Sequence, residues 1–152
     1  MKYRRTIAAI SLSAAALVSI AAFEGYRERA YIPLPGDAPT IGFGTTKGVK
    51  PGDVTNPTDA LERKLRDLTE FEGSISRCVN VPLYQHEYDA YISLAYNIGG
   101  VAFCRSTLVR RLNAGDYAGA CSQILRWDKF KGRKIKGLTR RRQVEYEKCL
   151  GH

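Results

Sequence analysis

Histidine is nearly absent from this chain of 152 residues: His86 and His152 are the only two. A Ser-His-Asp relay therefore has no credible member, and no cluster of His, Cys, Asp and Glu has metal-ligand spacing. No Gly-Lys-Ser or Gly-Lys-Thr phosphate loop occurs, so neither a metal nor a cofactor is expected. The four cysteines, Cys78, Cys104, Cys121 and Cys149, include no close pair, which excludes a zinc site and a Cys-x-x-Cys redox motif. Acidic residues are the scarcer charge, 15 against 24 Lys and Arg, for a formal charge of +9. That balance favours an anionic partner: nucleic acid, an anionic membrane or an acidic polymer. Hydrophobic residues make up 44% of the chain. The length suits one domain with a real core and is too short for two ordinary ones.

Charge is also missing near the start. After Lys2, Arg4 and Arg5, residues Thr6 to Phe23 run for 18 positions without a charge. A helix of that length spans about 27 Å, just short of a hydrocarbon core of about 30 Å. The basic flank should stay in the cytoplasm and send the remainder outward. The run is only weakly apolar, since seven of its 18 residues are Ala and four are Ser or Thr. Three readings compete: a cleaved signal peptide with Ser19-Ile20-Ala21 as the cleavage site, a permanent anchor, and a marginal anchor able to leave the membrane. Four cysteines, an even number, agree with export, because two disulfides suit an oxidising compartment. They allow three pairings. Cys78–Cys104 with Cys121–Cys149 is favoured, since each bond would tie neighbouring helices.

Residues 24–54 are broken by Pro and Gly and read as a small strand-and-turn region. Thr40 to Thr45 alternates like a strand, with Ile41 and Phe43 on one face. The intervening Gly residues leave backbone open to close approach by a ligand. Asn56-Pro57-x-Asp59 starts a long helix, with Leu61, Leu65, Leu68, Phe71 and Ile75 as its apolar stripe. A second helix runs from about Tyr84 to Tyr96 and is stopped by Asn97-Ile98-Gly99-Gly100. Shorter helices follow near Thr107–Asn113, Asp116–Arg126 and Leu138–Cys149. The expected class is α+β, mostly helical with a small sheet near the start.

With nucleophilic relays and metals excluded, carboxylates must carry any chemistry. Glu24-Gly25 is followed by Tyr31 and then by Thr40-Ile41-Gly42-Phe43-Gly44. Later come Ala95-Tyr96-Asn97-Ile98-Gly99, Ser106-Thr107-Leu108, Leu112-Asn113-Ala114-Gly115-Asp116 and Gly137-Leu138-x-x-Arg141-Arg142. Together, over roughly residues 20 to 150, these motifs closely resemble the phage-type lysozymes, glycoside hydrolase family 24. The resemblance implies a lysozyme-like fold with a β-hairpin region and a cleft between two lobes. It implies a muramidase that cuts the bond between N-acetylmuramic acid and N-acetylglucosamine in peptidoglycan.

Glu24 would then be the general acid, with Phe23 and Tyr31 as an apolar surround that keeps it protonated. The family's second carboxylate falls two residues after the Tyr, where this chain has Pro33. Asp37 is the nearest substitute, either as the base of an inverting site or as an ordinary turn residue beside Gly36. Thr40 matches the threonine that helps hold the attacking water. Asn97 matches a substrate-contacting amide, and Tyr31 is a further substrate-side candidate.

Glu24 follows the uncharged run directly. If residues 6–23 lie in lipid, the helix bearing Glu24 cannot take its place in the domain. The chain thus looks like a signal-anchor-release endolysin: residues 1–23 a releasable anchor, residues 24–152 the muramidase domain. Such a protein is held in the host inner membrane with its N-terminus cytoplasmic and its catalytic domain periplasmic. It is then freed into the periplasm, where it acts as a monomer on peptidoglycan.

From Arg126 to Arg142 nine Lys or Arg stand against one acid, Asp128, a net +8. This stretch is either a grip for anionic wall polymers or membranes, or a solvated face. Nucleic acid is not expected, because no base-reading motif is present. Two alternatives stay open: a lytic transglycosylase using Glu24 alone, and a non-enzymatic basic membrane-active protein acting through residues 126–142.

Overall fold

The structure is a computed structural model that describes residues 3–152; Lys2 of the basic flank and the first position of the 1–23 segment lie outside the described residues. In chain order it has a 3-10 turn (Ile7–Ala9), α1 (Ala14–Glu24), β1 (Arg27–Tyr31), β2 (Thr40–Gly42), α2 (Pro57–Ile75), α3 (Gln85–Ile98), α4 (Gly100–Cys104), α5 (Thr107–Asn113), α6 (Tyr117–Gln123), a second 3-10 turn (Ile124–Arg126), β3 (Lys129–Phe130), β4 (Arg133–Lys134) and α7 (Lys136–Cys149). The chain divides into two units: residues up to Ala16 together with Phe71–His152, and Leu17–Glu70. The class is α+β and mostly helical.

The first unit is built around α3, whose residues from Glu87 to Ala95 are all buried. An interior helix needs apolar residues on every side, and Ala90, Ile92, Leu94 and Ala95 supply them. Tyr88 and Tyr91 are core residues, buried rather than presented to a sugar. Burial pushes both phenols well above their usual range. The Tyr88 hydroxyl donates to Glu72 at 2.7 Å. Helices α5 and α6 start on side-chain caps: Ser106 accepts from the Val109 N–H and Asp116 from the Gly119 N–H. Disulfides join Cys78 to Cys104 and Cys121 to Cys149, the favoured pairing, and no described cysteine is free.

In the second unit β1 and β2 pair antiparallel, with Arg27 opposite Gly42 and Tyr31 opposite Thr40. The other edge of β1 pairs with the chain near Val54, where the Ala30 N–H donates to Asp53 and the Thr55 N–H to Glu28, each at 2.9 Å. Asn56 caps α2 as its sequence implies: its Oδ1 accepts from the Asp59 N–H at 3.0 Å.

In the fold the uncharged run forms a 3-10 turn and then α1. The Ser13 hydroxyl accepts from the Ala16 N–H at 3.1 Å and starts the helix there. Among the described residues, no helix is long and apolar enough to cross a membrane. Three expectations need correction. The strand expected over Thr40–Thr45 stops at Gly42, because Ile41 and Thr45 exchange backbone hydrogen bonds of 2.9 and 3.1 Å and the chain reverses between them. On α2 the fully buried positions are Ala60, Lys64, Leu68 and Ile75, while Leu65 is 47% exposed. The basic stretch is not uniformly solvated, since Arg141 and Arg142 are interior. Three short elements were not expected: α4 and the β3–β4 hairpin.

Candidate active site

Glu24 is the last residue of α1. Gly25 follows with φ +72°, and its N–H donates to the Ala21 carbonyl at 3.1 Å. A left-handed residue at this point ends the helix, and glycine adopts it without a Cβ penalty. The Glu-Gly pair is thus a helix stop that leaves the carboxyl at the helix terminus.

The turn Ile41–Thr45 lies against it. A Cβ placed on Gly44 would stand 3.4 Å from Glu24 Oε2. The same turn is held from α2 in two ways. A Cβ on Gly42 would stand 2.7 Å from the Ala60 Cβ, so the strand packs on the helix only because position 42 has no side chain. The Thr45 hydroxyl donates to Asp67 Oδ2 at 2.6 Å. The close approach at Gly42 therefore serves helix packing, while that at Gly44 serves Glu24. Phe43, at the tip, packs against Tyr26 with centroids 5.3 Å apart and the rings tilted by 50°.

Thr40 is buried, and its hydroxyl donates to the Ala38 carbonyl at 3.2 Å. Tyr31 is its partner across the hairpin and lies near the Arg27 guanidinium, 5.5 Å from ring centroid to Cζ. Asp37 is exposed on the hairpin loop. Its N–H donates to the Leu34 carbonyl at 3.0 Å, and Gly36 has φ +93°. With Pro35 second and Gly36 third, Leu34–Asp37 has the pattern of a type II turn, which accounts for Asp37's backbone. Phe23 and Tyr31, expected as an apolar surround for Glu24, are 37% and 38% exposed, and Glu24 itself is exposed.

Asn97 belongs to the other unit, near the end of α3. Its Oδ1 accepts from Arg142 Nη2 at 2.9 Å. Arg142 is 1% exposed and is paired with Glu145 at 2.8 Å, which also accepts from the Ser93 hydroxyl at 2.6 Å and from Arg141 Nε at 3.1 Å. Arg142 is a residue that the sequence hid inside a run of exposed bases. Besides the motif Gly137-Leu138-x-x-Arg141-Arg142, its i to i+3 spacing from Glu145 is a signal of pairing. Among the described residues, no group of three or more His, Cys, Asp and Glu could hold a metal ion.

Within the second unit, then, a helix-terminal Glu lies beside a glycine-rich turn. Residues 21–145 match the family described as phage lysozyme. The chain belongs to the phage lysozyme family, and it is a lysozyme-type enzyme. It is 38% identical over 138 residues to an endolysin of Acyrthosiphon pisum secondary endosymbiont phage 1, covering 88% of this chain and 94% of that one. It is 37% identical over 141 residues to a SAR-endolysin of Pseudomonas phage phiKMV, covering 90% of this chain and 87% of that one. Among solved structures it is similar to the muramidase domain of SpmX from Asticaccaulis excentricus, with TM-score 0.86, 32% identity and coverage of 93% and 98%.

Proposed function

We propose that this enzyme is a signal-anchor-release endolysin that hydrolyses the β-1,4 bond between N-acetylmuramic acid and N-acetylglucosamine in peptidoglycan and so lyses the host cell. Residues 1–23 act as the releasable anchor and residues 24–152 as the muramidase domain. The protein is held in the inner membrane with its N-terminus cytoplasmic, then freed into the periplasm, where it works as a monomer. The observation that carries this reading is that α1 is made from the uncharged run itself and ends on Glu24. One stretch of chain cannot lie in lipid and also form α1 in the fold, so tethering and activity exclude each other.

In the released enzyme Glu24 protonates the leaving glycosidic oxygen. The Thr40 hydroxyl has one donor and two acceptor sites, and its donor is spent on the Ala38 carbonyl. It can therefore only accept, so it orients the attacking water by accepting a hydrogen bond from one of its O–H groups, the one that stays on the sugar as the new anomeric hydroxyl. Asp37 takes the water's other proton as base, on the far side of the sugar, which gives inversion. Tyr31 and Asn97 contact the glycan, the latter held by Arg142.

Ala14 and Ala15 are exposed in the fold, so leucine at both positions leaves its packing intact. In lipid each added CH2 strengthens the anchor by about 0.8 kcal/mol. The Ala14→Leu, Ala15→Leu protein should stay in the membrane fraction and fail to lyse cells after depolarisation. A membrane-bound product with unchanged lysis timing refutes the tether.

A further inference from the structure

Arg4 is the first of the basic flanking residues that the structure describes, and it is half-buried against two rings and a carboxylate. Its Nε and Nη2 donate to Glu87 Oε2 and Oε1 at 3.1 and 2.8 Å. Its Cζ lies 3.6 Å from the centroid of the Tyr117 ring and 4.4 Å from that of Tyr84. Other parts of the same unit hold this cage in shape. Glu87 Oε2 also accepts from the Tyr84 N–H at 2.9 Å, and the Tyr117 hydroxyl donates to the Pro82 carbonyl at 2.9 Å. Glu87 is 3% exposed, so without a cation it would be a nearly buried lone carboxylate.

Residues after Arg4 continue the contact. Arg5 and Leu83 exchange backbone hydrogen bonds of 2.7 and 2.8 Å. Gln85 Nε2 donates to the Ser11 carbonyl at 2.8 Å, and the Leu12 N–H to Glu72 at 2.6 Å. The Ser13 N–H and hydroxyl donate to Asp89 at 3.0 and 2.6 Å. α1 begins at the next residue, Ala14.

We propose that Tyr84, Glu87 and Tyr117 form a guanidinium receptor that captures Arg4 when the N-terminal segment leaves the membrane, and that this capture fixes the start of α1. The proposal rests on the anchor-release reading. It gives Arg4 two successive tasks. In the tethered protein it is a cytoplasmic charge that sets topology, which any Lys or Arg performs. In the released protein it is a planar, two-pronged donor stacked on aromatic rings, which a lysine ammonium does not reproduce.

Arg4→Lys in the full chain separates the two tasks. Before depolarisation the variant should be membrane-retained like wild type. After depolarisation it should lyse cells more slowly, and in the purified released protein the Arg5, Leu12 and Ser13 amides should exchange about 10- to 100-fold faster, the effect of losing one charge-assisted contact. α3 amides serve as the folding control. Tyr117→Leu should have a similar effect, and the double variant should be little worse than either alone. Wild-type amide exchange and lysis timing in Arg4→Lys, or additive losses in the double variant, overturn the receptor. Wild-type protein found soluble before depolarisation instead overturns the anchor reading beneath it.

Discussion

Gly42→Ala and Gly48→Ala form a matched pair that tests how the hairpin turn is held. Both glycines have positive φ, +62° and +71°. An L-residue in the left-handed region costs about 1–2 kcal/mol. At Gly48 nothing lies within 4 Å of an added Cβ, so that backbone cost is the whole effect. At Gly42 the new methyl would stand 2.7 Å from the Ala60 Cβ and 3.4 Å from its Cα, on the helix backbone side. Helix α2 or the turn must shift, and overpacking of this kind adds about 1–3 kcal/mol. Gly48→Ala should thus cost about 1–2 kcal/mol and Gly42→Ala about 2–5 kcal/mol. At about 2–4 °C per kcal/mol, thermal unfolding should fall by roughly 2–8 °C and 4–20 °C respectively. Gly42→Ala should also lose activity, because the same turn carries Gly44 against Glu24. Calorimetry with a turbidity assay on cell walls reads both. Equal melting losses in the two variants, or full activity in Gly42→Ala, would show that the packing of α2 does not set this turn.

Glu145→Gln leaves two interior guanidiniums, Arg141 and Arg142, without their carboxylate, and should cost about 3–5 kcal/mol in a denaturant titration. A loss below about 1 kcal/mol would mean that the network contributes little. Cutting either disulfide should cost about 3–4 kcal/mol, since sequence separations of 26 and 28 close loops of similar size. Melting of Cys78→Ser and Cys121→Ser separately should therefore give nearly equal losses, and strongly unequal ones would contradict the loop-closure account.

Local signals made much of this molecule legible from its residues. Asn56-Pro57 and Asp59 start α2, Gly99 stops α3, and Ser106 and Asp116 cap α5 and α6 without any help from distant chain. Gly25 ends α1 by a conformation settled within one helical turn. Where partners are distant in sequence, the residues mislead. Thr40 to Thr45 alternates like a strand, yet two positive-φ glycines fold it back on itself. Lys129 to Lys134 carries little β-propensity, so a hairpin there is invisible. Arg141 and Arg142 look like two more surface bases until α3 supplies Ser93 and Asn97. Leu65 fits the apolar stripe of α2 but faces outward, while Lys64 beside it is buried. Arg4 looks only like an anchor flank, since its cage lies about eighty residues onward and more. The position of Glu24 beside a glycine-rich turn is legible. Its environment is less so, as the exposure of Phe23, Glu24 and Tyr31 illustrates.

The most direct test of the central claim is the mass of the fragments released from purified peptidoglycan by the freed wild-type protein and by Glu24→Gln. The account predicts reducing N-acetylmuramic ends from wild type, the mark of an activated water, and no products above background from Glu24→Gln with an unchanged melting temperature. Anhydro-muramic ends from wild type would contradict hydrolysis and reduce Asp37 to its type II turn. Undiminished cleavage by Glu24→Gln would remove Glu24 from the chemistry altogether.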